Sequence, residues 1–272
     1  ITSTNGNTRG DVLSLARAAN LYYPGTLKNS INAKGNAVYK LDQMAPLNGI
    51  EHGDAAHSAI GDVIATVGVA KLIAKKAPNV WKASMLTMDK NQSLEIIQKE
   101  LFFCTNEYFY GKSRPYVQTF VCQHPQYQWP LCFDLKHDPS TYLAMSIQEL
   151  TSAMKKQPKF IRTVRHNKHP VIMNPSYGNK FDEYKLIGTA KLQKRAKLIR
   201  DNKEFAEKGT VTNHVRTVHE QQKPYECTVC DKKFKEPWRR DYHYKVQHSE
   251  TPKFACPCGL SFDYSANLCV HE

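Results

Sequence analysis

Between residues 227 and 248 the chain reads CTVCDKKFKEPWRRDYHYKVQH: two cysteines with two residues between them, a gap of twelve, then two histidines with four between them. No other feature narrows the possible folds so far. A segment of about 22 residues cannot bury enough apolar surface to fold unaided, and one ion held by two thiolates and two imidazoles supplies the missing stability. At this spacing Cys227 and Cys230 sit in a tight turn, while His243 and His248 fall about one turn apart on a following helix and face the same ion. Phe234 is the expected small core. The pattern therefore predicts a turn and a helix closed around zinc through Cys227, Cys230, His243 and His248.

These residues resemble the two-cysteine, two-histidine zinc fingers, and QQKPYEC before them and SETPKFAC after them are similar to the linkers that join tandem members of that family. The resemblance implies a small ββα module within an array. Downstream, CPCGLSFDYSANLCVHE keeps Phe262, Leu268 and His271 at family spacing. Cys256 and Cys258 have only one residue between them, however, so Cys256, Cys258 and His271 are expected to form an incomplete metal site. Upstream, His214 and His219 keep the ligand spacing, but Leu198 and Asp201 stand where the family has cysteines, and no zinc is expected there. If the complete module reads duplex DNA as its family does, Glu236, Arg239 and Tyr242 occupy the base-reading positions, with Arg239 the guanine reader. Pro237 is tolerable in a first helical turn. Arg240 stands where the family usually has a leucine, which leaves RNA or protein as alternative partners.

At 272 residues the chain is long enough for two ordinary domains, or for one followed by small modules. Hydrophobic residues make up 41%, which supports a core, and no apolar run reaches the roughly 18 residues of a membrane-spanning helix. The N-terminus lacks the basic start and apolar stretch of a secretory signal, which predicts an intracellular protein, cytoplasmic or nuclear. Ile1 in place of an initiator methionine predicts a start inside a longer gene. Of eight cysteines, five follow residue 226, a clustering that points to metal in a reducing compartment rather than to disulfides. Cys104, Cys122 and Cys132 lack metal-ligand spacing and are expected to be buried thiols. Lys and Arg number 38 against 25 Asp and Glu, and the surplus lies mainly between residues 81 and 208. Such a surplus either neutralises a phosphate-rich partner or solvates a surface, and charge alone decides neither.

In the N-terminal third, a loop with Asn48, Gly49 and Gly53 leads to Asp54 as a helix cap and then to a helical pattern. Ile60, Val63, Ile64, Val67 and Ala70 recur at three and four residues, so that face is expected to pack into a core. His57 and Asp62 are the polar exceptions; by spacing they fit either an ordinary exposed helix start or an imidazole beside a metal-binding carboxylate. From Gly10 to about Lys208 the chain resembles bacterial exodeoxyribonuclease I, of the DEDDh exonuclease superfamily. The resemblance runs through DVLSLARAANLYYPGTL, YKLDQMAPLNGIEH, HSAIGD, HPQYQWPLCFDLKHD and RHNKHPVIMNP, in the family's order. It implies an α/β fold: part of a ribonuclease H-like exonuclease domain over residues 1 to 80 and an SH3-like β-rich DNA-binding domain over 81 to 208, and the zinc-finger resemblance adds a finger region over 209 to 272. It further implies 3′-to-5′ hydrolysis of single-stranded DNA with divalent ions, usually Mg²⁺, His57 as general base and Asp62 as the last metal-binding acid. The family's other acids lie upstream of the segment matched by Gly10, so this polypeptide by itself is expected to lack a complete two-metal site.

Lys112, Arg114 and Tyr116 in YGKSRPY combine cations with an aromatic ring on an expected strand-turn segment, which suits either phosphate contact with base stacking or a solvated loop. At the junction, residues 191 to 208 read as a basic helix and residues 209 to 219 at once as the tail of a finger helix, with Phe205 where a finger places its core aromatic. No linker separates them, which predicts two partial modules joined; a genuine fusion with a degenerate first finger is the alternative. The rival to an enzyme is a non-enzymatic nucleic-acid-binding protein that carries a nuclease remnant.

Overall fold

Asp11 starts helix α1 (Val12–Tyr22): its carboxylate accepts the Leu13 N–H at 3.0 Å and satisfies a donor that the first turn leaves without an intrahelical partner. The structure, a computed structural model, describes residues 8 to 50, 59 to 125, 127 to 214, 225 to 230, 232 to 234, 237 to 248, 254 to 255 and 261 to 262. It divides into two compact units, Ile1–His214 and Val215–Glu272. In the first, α1 is followed by α2 (Leu41–Leu47), α3 (Ala59–Lys76), α4 (Pro78–Leu86) and α5 (Lys90–Lys99). Pro78 opens α4, a position where a missing N–H does no harm, and Asp89 caps α5 by accepting from Asn91 and Gln92, each at 2.8 Å.

The face that α3 buries is not the one its large residues predict. Gly61, Ala65, Val69 and Ile73 are buried, whereas Ile60, Val63, Ile64 and Val67 are exposed, Ile60 by 71%. Both sets recur at helical spacing, so periodicity alone could not choose between them. Small residues let helices approach closely, and α3 turns its glycine and alanine stripe toward its neighbours α1, α2 and α4. Asp54 lies outside the described residues.

An antiparallel sheet follows, with strands β1 (Phe103–Phe109), β2 (Lys112–Gln123), β3 (Pro130–Asp134) and β4 (Ile161–Thr163) in spatial order β1-β2-β3-β4. Between β3 and β4 run α6 (Ser140–Leu143) and α7 (Ile147–Lys155), the latter opened by a capping box between Ser146 and Glu149. After β4 come α8 (Asp182–Lys185), α9 (Thr189–Arg200) and α10 (Lys203–His214). The basic stretch 191 to 208 is thus two helices, broken at Asp201 and Asn202; the Asn202 side chain restarts the chain as α10 by accepting the Phe205 N–H at 2.8 Å.

Phe205 is no part of a finger. It is 1% exposed, and its ring centroid stands 6.2 Å from that of Phe133 on β3, in the core of the first unit. Burial is the reason: α10 packs against β2 and α7, and Phe205 is the residue it drives into the space between them. The expected boundary after residue 208 therefore falls inside a helix, and the first unit runs to His214. Cys104, Cys122 and Cys132 are buried as expected; burial pushes the Cys104 thiol up to about 12 and raises those of Cys122 and Cys132. The architecture is α/β, with one four-stranded antiparallel sheet. No helix among the described residues is long and apolar enough to cross a membrane.

Candidate functional site

In the second unit a two-stranded hairpin, β5 (Tyr225–Glu226) and β6 (Lys233–Phe234), leads to α11 (Pro237–Gln247). The Cys227 N–H donates to the Lys232 carbonyl at 2.9 Å, which closes the turn around Cys230. His243 lies on α11, and His248 follows its end with its N–H bonded to the Tyr244 carbonyl at 2.9 Å. One ligand atom from each of Cys227, Cys230, His243 and His248 lies within 4.8 Å of the others, and Cys230 Sγ stands 3.2 Å from His243 Nε2. Tetrahedral zinc with Zn–S near 2.3 Å and Zn–N near 2.0 Å spaces sulfur and nitrogen about 3.5 Å apart, so these four residues fit that ion. Phe234 sits beside them, its ring 4.8 Å from that of His243.

The protonation preferences agree with the donor set. Burial opposes the Cys227 thiolate, yet backbone N–H groups of Val229 and Cys230, with Arg240 nearby, bring the thiol below its ordinary value. Burial first, then the charges of His248 and Lys232, lower His243 and favour the neutral imidazole that metals bind. On α11, Arg239 and Tyr242 are exposed, Tyr242 by 57%. Glu236, Cys256, Cys258, His219 and His271 lie outside the described residues. A further hairpin, β7 (Phe254–Ala255) with β8 (Ser261–Phe262), flanks the Cys256 and Cys258 segment in sequence.

Asp62 lies in the first turn of α3 and is exposed; His57 is outside the described residues. Among the described residues, the Cys and His group above is the one set of three or more His, Cys, Asp or Glu side chains close enough to share an ion. Asp62 alone does not make a two-metal centre, and no catalytic step through magnesium follows from the residues described.

The hairpin of β1 and β2 divides the three expected nucleic-acid contacts. Lys112 is exposed, and the Arg114 guanidinium lies 4.5 Å over the Phe109 ring. Tyr116 is not available: it is 4% exposed, and the Arg162 guanidinium covers its ring at 3.4 Å. Burial, opposed by Arg162, pushes its hydroxyl up to about 12. Arg162 is held there by Glu107 at 2.9 Å and by the buried Asp134 at 3.5 Å, which also accepts the Tyr184 hydroxyl at 2.8 Å. Spacing along β2 puts Lys112, Arg114 and Tyr116 on one face but says nothing of an arginine arriving from β4. The aromatic residue that does reach solvent is Tyr110, 90% exposed.

No protein-family model matches this sequence. Curated relatives match part of it. Over 98 residues, 36% of this chain, it is 35% identical to exodeoxyribonuclease I of Buchnera aphidicola subsp. Acyrthosiphon pisum, covering 24% of that protein. Over 78 residues, 29% of the chain, it is 37% identical to exodeoxyribonuclease I of Haemophilus influenzae, covering 16% of it. Over 91 residues, 34% of the chain, it is 31% identical to exodeoxyribonuclease I of Escherichia coli, covering 19% of it. The chain thus spans about a quarter or less of the length of these relatives. Among solved structures, exonuclease I from Methylocaldum szegediense matches 78% of this chain and 48% of its own, with TM-score 0.62 and 21% identity. Exonuclease I of E. coli in complex with a 5cy-dT13 oligonucleotide matches 76% and 46%, with TM-score 0.56 and 20% identity. The chain shares a fold with part of exonuclease I.

Proposed function

We propose that this chain carries part of a metal-dependent 3′-to-5′ exonuclease that acts on single-stranded DNA, joined to a zinc-stabilised nucleic-acid-binding segment. What carries the reading is that similarity in sequence over 36% of the chain and likeness in fold over 78% point to the same enzyme. In it, residues 1 to 80 are the C-terminal part of a ribonuclease H-like nuclease domain, and the sheet with its helices is an SH3-like domain that lines the DNA groove. His57 is the general base and Asp62 one carboxylate ligand of a divalent ion, which supplies an activated water and a stabilised leaving oxygen when bound. Lys112 and Arg114 contact phosphates. In the second unit Cys227, Cys230, His243 and His248 hold zinc, and Glu236, Arg239 and Tyr242 face a nucleic acid.

The test is release of a 3′ label from a single-stranded oligonucleotide with Mg²⁺, with His57→Ala and Asp62→Ala beside the parent. Release by the parent that both substitutions abolish supports the enzyme; release that survives Asp62→Ala sinks the assigned site. A second reading, a binding protein without catalysis, is favoured by one observation: the cluster among the described residues that could hold an ion, Cys227, Cys230, His243 and His248, is a structural rather than a hydrolytic donor set. Binding without release selects it.

A further inference from the structure

Tyr110 occupies the first position of the two-residue turn between β1 and β2, with φ of 51°, followed by Gly111 at 78°. Such a turn needs positive φ at both positions, which suits glycine and asparagine; a bulky side chain there is strained. The Tyr110 side chain offsets that strain with little packing. It is 90% exposed, and its ring meets that of Phe109 edge-on at 5.8 Å. An aromatic ring placed in solvent at a position its backbone disfavours is unexplained by folding.

Everything behind the ring is held in place. Tyr108 lies beneath the Arg17 guanidinium at 3.7 Å and edge-on to Tyr39 at 5.9 Å. The Ser113 hydroxyl donates to the Arg17 carbonyl at 3.4 Å. Gly111 has no room for a Cβ beside the Asn36 amide, so the tip rests on the loop before Tyr39. That loop is closed by Asn32, whose side chain accepts the Lys34 and Asn36 N–H groups at 2.9 and 3.0 Å. Lys112, two residues on from Tyr110, is exposed, and Arg114 lies over Phe109, the ring that Tyr110 meets.

A stiff hairpin that presents an aromatic face among cations meets the two needs of an unpaired strand, a surface for a base and charge for its phosphates. A duplex exposes its phosphates but keeps its base faces stacked, so it offers no face to the ring of such a tip. We propose that Tyr110 stacks on an unpaired base of single-stranded DNA while Lys112 and Arg114 hold the neighbouring phosphates. This rests on the single-stranded DNA reading above.

The experiment measures binding of the full chain to a fluorescent oligothymidine of about 16 nucleotides, without magnesium, beside an abasic strand of the same length. Tyr110→Ala is expected to weaken oligothymidine binding about 5- to 150-fold, as loss of one stacked base does, and to leave abasic binding unchanged; Tyr110→Phe keeps parental affinity. Tyr110→Asn, which suits the turn, is expected to melt no lower than the parent and still to bind as weakly as Tyr110→Ala, which separates stacking from folding. Equal affinity of Tyr110→Ala and parent, or an equal loss on the abasic strand, overturns the stacking role and leaves the nuclease reading standing. A parent chain that binds no single-stranded DNA overturns both.

Discussion

The two units are stabilised by different physics. In Ile1–His214 the larger of two apolar clusters joins α1, α3, the sheet, α7 and α10, with Tyr22, Phe133, Phe160, Tyr184 and Phe205 each at 1% exposure or less. In Val215–Glu272 Cys227 is the one buried residue among those described, at 6% exposure, and it is itself a candidate ligand. A core spread over many side chains loses stability in steps as each is cut. A segment with one small aromatic and four ligands loses it all with the ion.

Removal of zinc has the largest expected effect. Structural zinc contributes roughly 10–16 kcal/mol in modules of this kind, so a chelator is expected to abolish the α11 helix, read by hydrogen exchange of residues 237 to 247, while the calorimetric transition of the first unit stays where it was. One transition that shifts as a whole would break the contrast. Phe205→Ala comes next: it is expected to destabilise the first unit by about 3–5 kcal/mol with zinc affinity unchanged, and weakened zinc binding would return Phe205 to the second unit. Arg162→Ala leaves the buried Asp134 without its cation and is expected to cost about 3 kcal/mol, measured by urea unfolding; it also uncovers Tyr116. The smallest effect has the opposite sign. Gly209 lies inside α10, where an added Cβ would meet Cys122 Sγ at 3.5 Å and Val121 Cγ1 at 3.7 Å, ordinary contacts beside a small apolar cavity. Gly209→Ala is therefore expected to stabilise the first unit by about 0.5–1 kcal/mol, and a loss would mean that α10 packs less firmly than its burial implies.

The residues that were legible share a feature. Cys227, Cys230, His243 and His248 lie within one turn and one helix, where spacing along the chain is spacing in space, and their ligand atoms converge to within 4.8 Å. The existence of α3 was legible for the same reason, as was the burial of three thiols that lack metal-ligand spacing. Tyr116 was misjudged because alternation along β2 fixes the side of the sheet but not what covers it. Tyr110 was missed because a tyrosine before a glycine is a weak turn signal beside asparagine-glycine.

The sequence by itself therefore determined a cluster of four side chains that could hold a metal ion, the likeness to exodeoxyribonuclease I and the presence of a helix bearing Asp62. Only the tertiary structure decided which stripe of α3 is buried, that Arg162 seals Tyr116, and that α10 carries Phe205 into the first unit's core. The division has one physical cause. Local spacing encodes which atoms a turn or helix brings together, whereas burial is settled by partners far away in sequence, whose close packing selects small residues at one contact and a long cation at another.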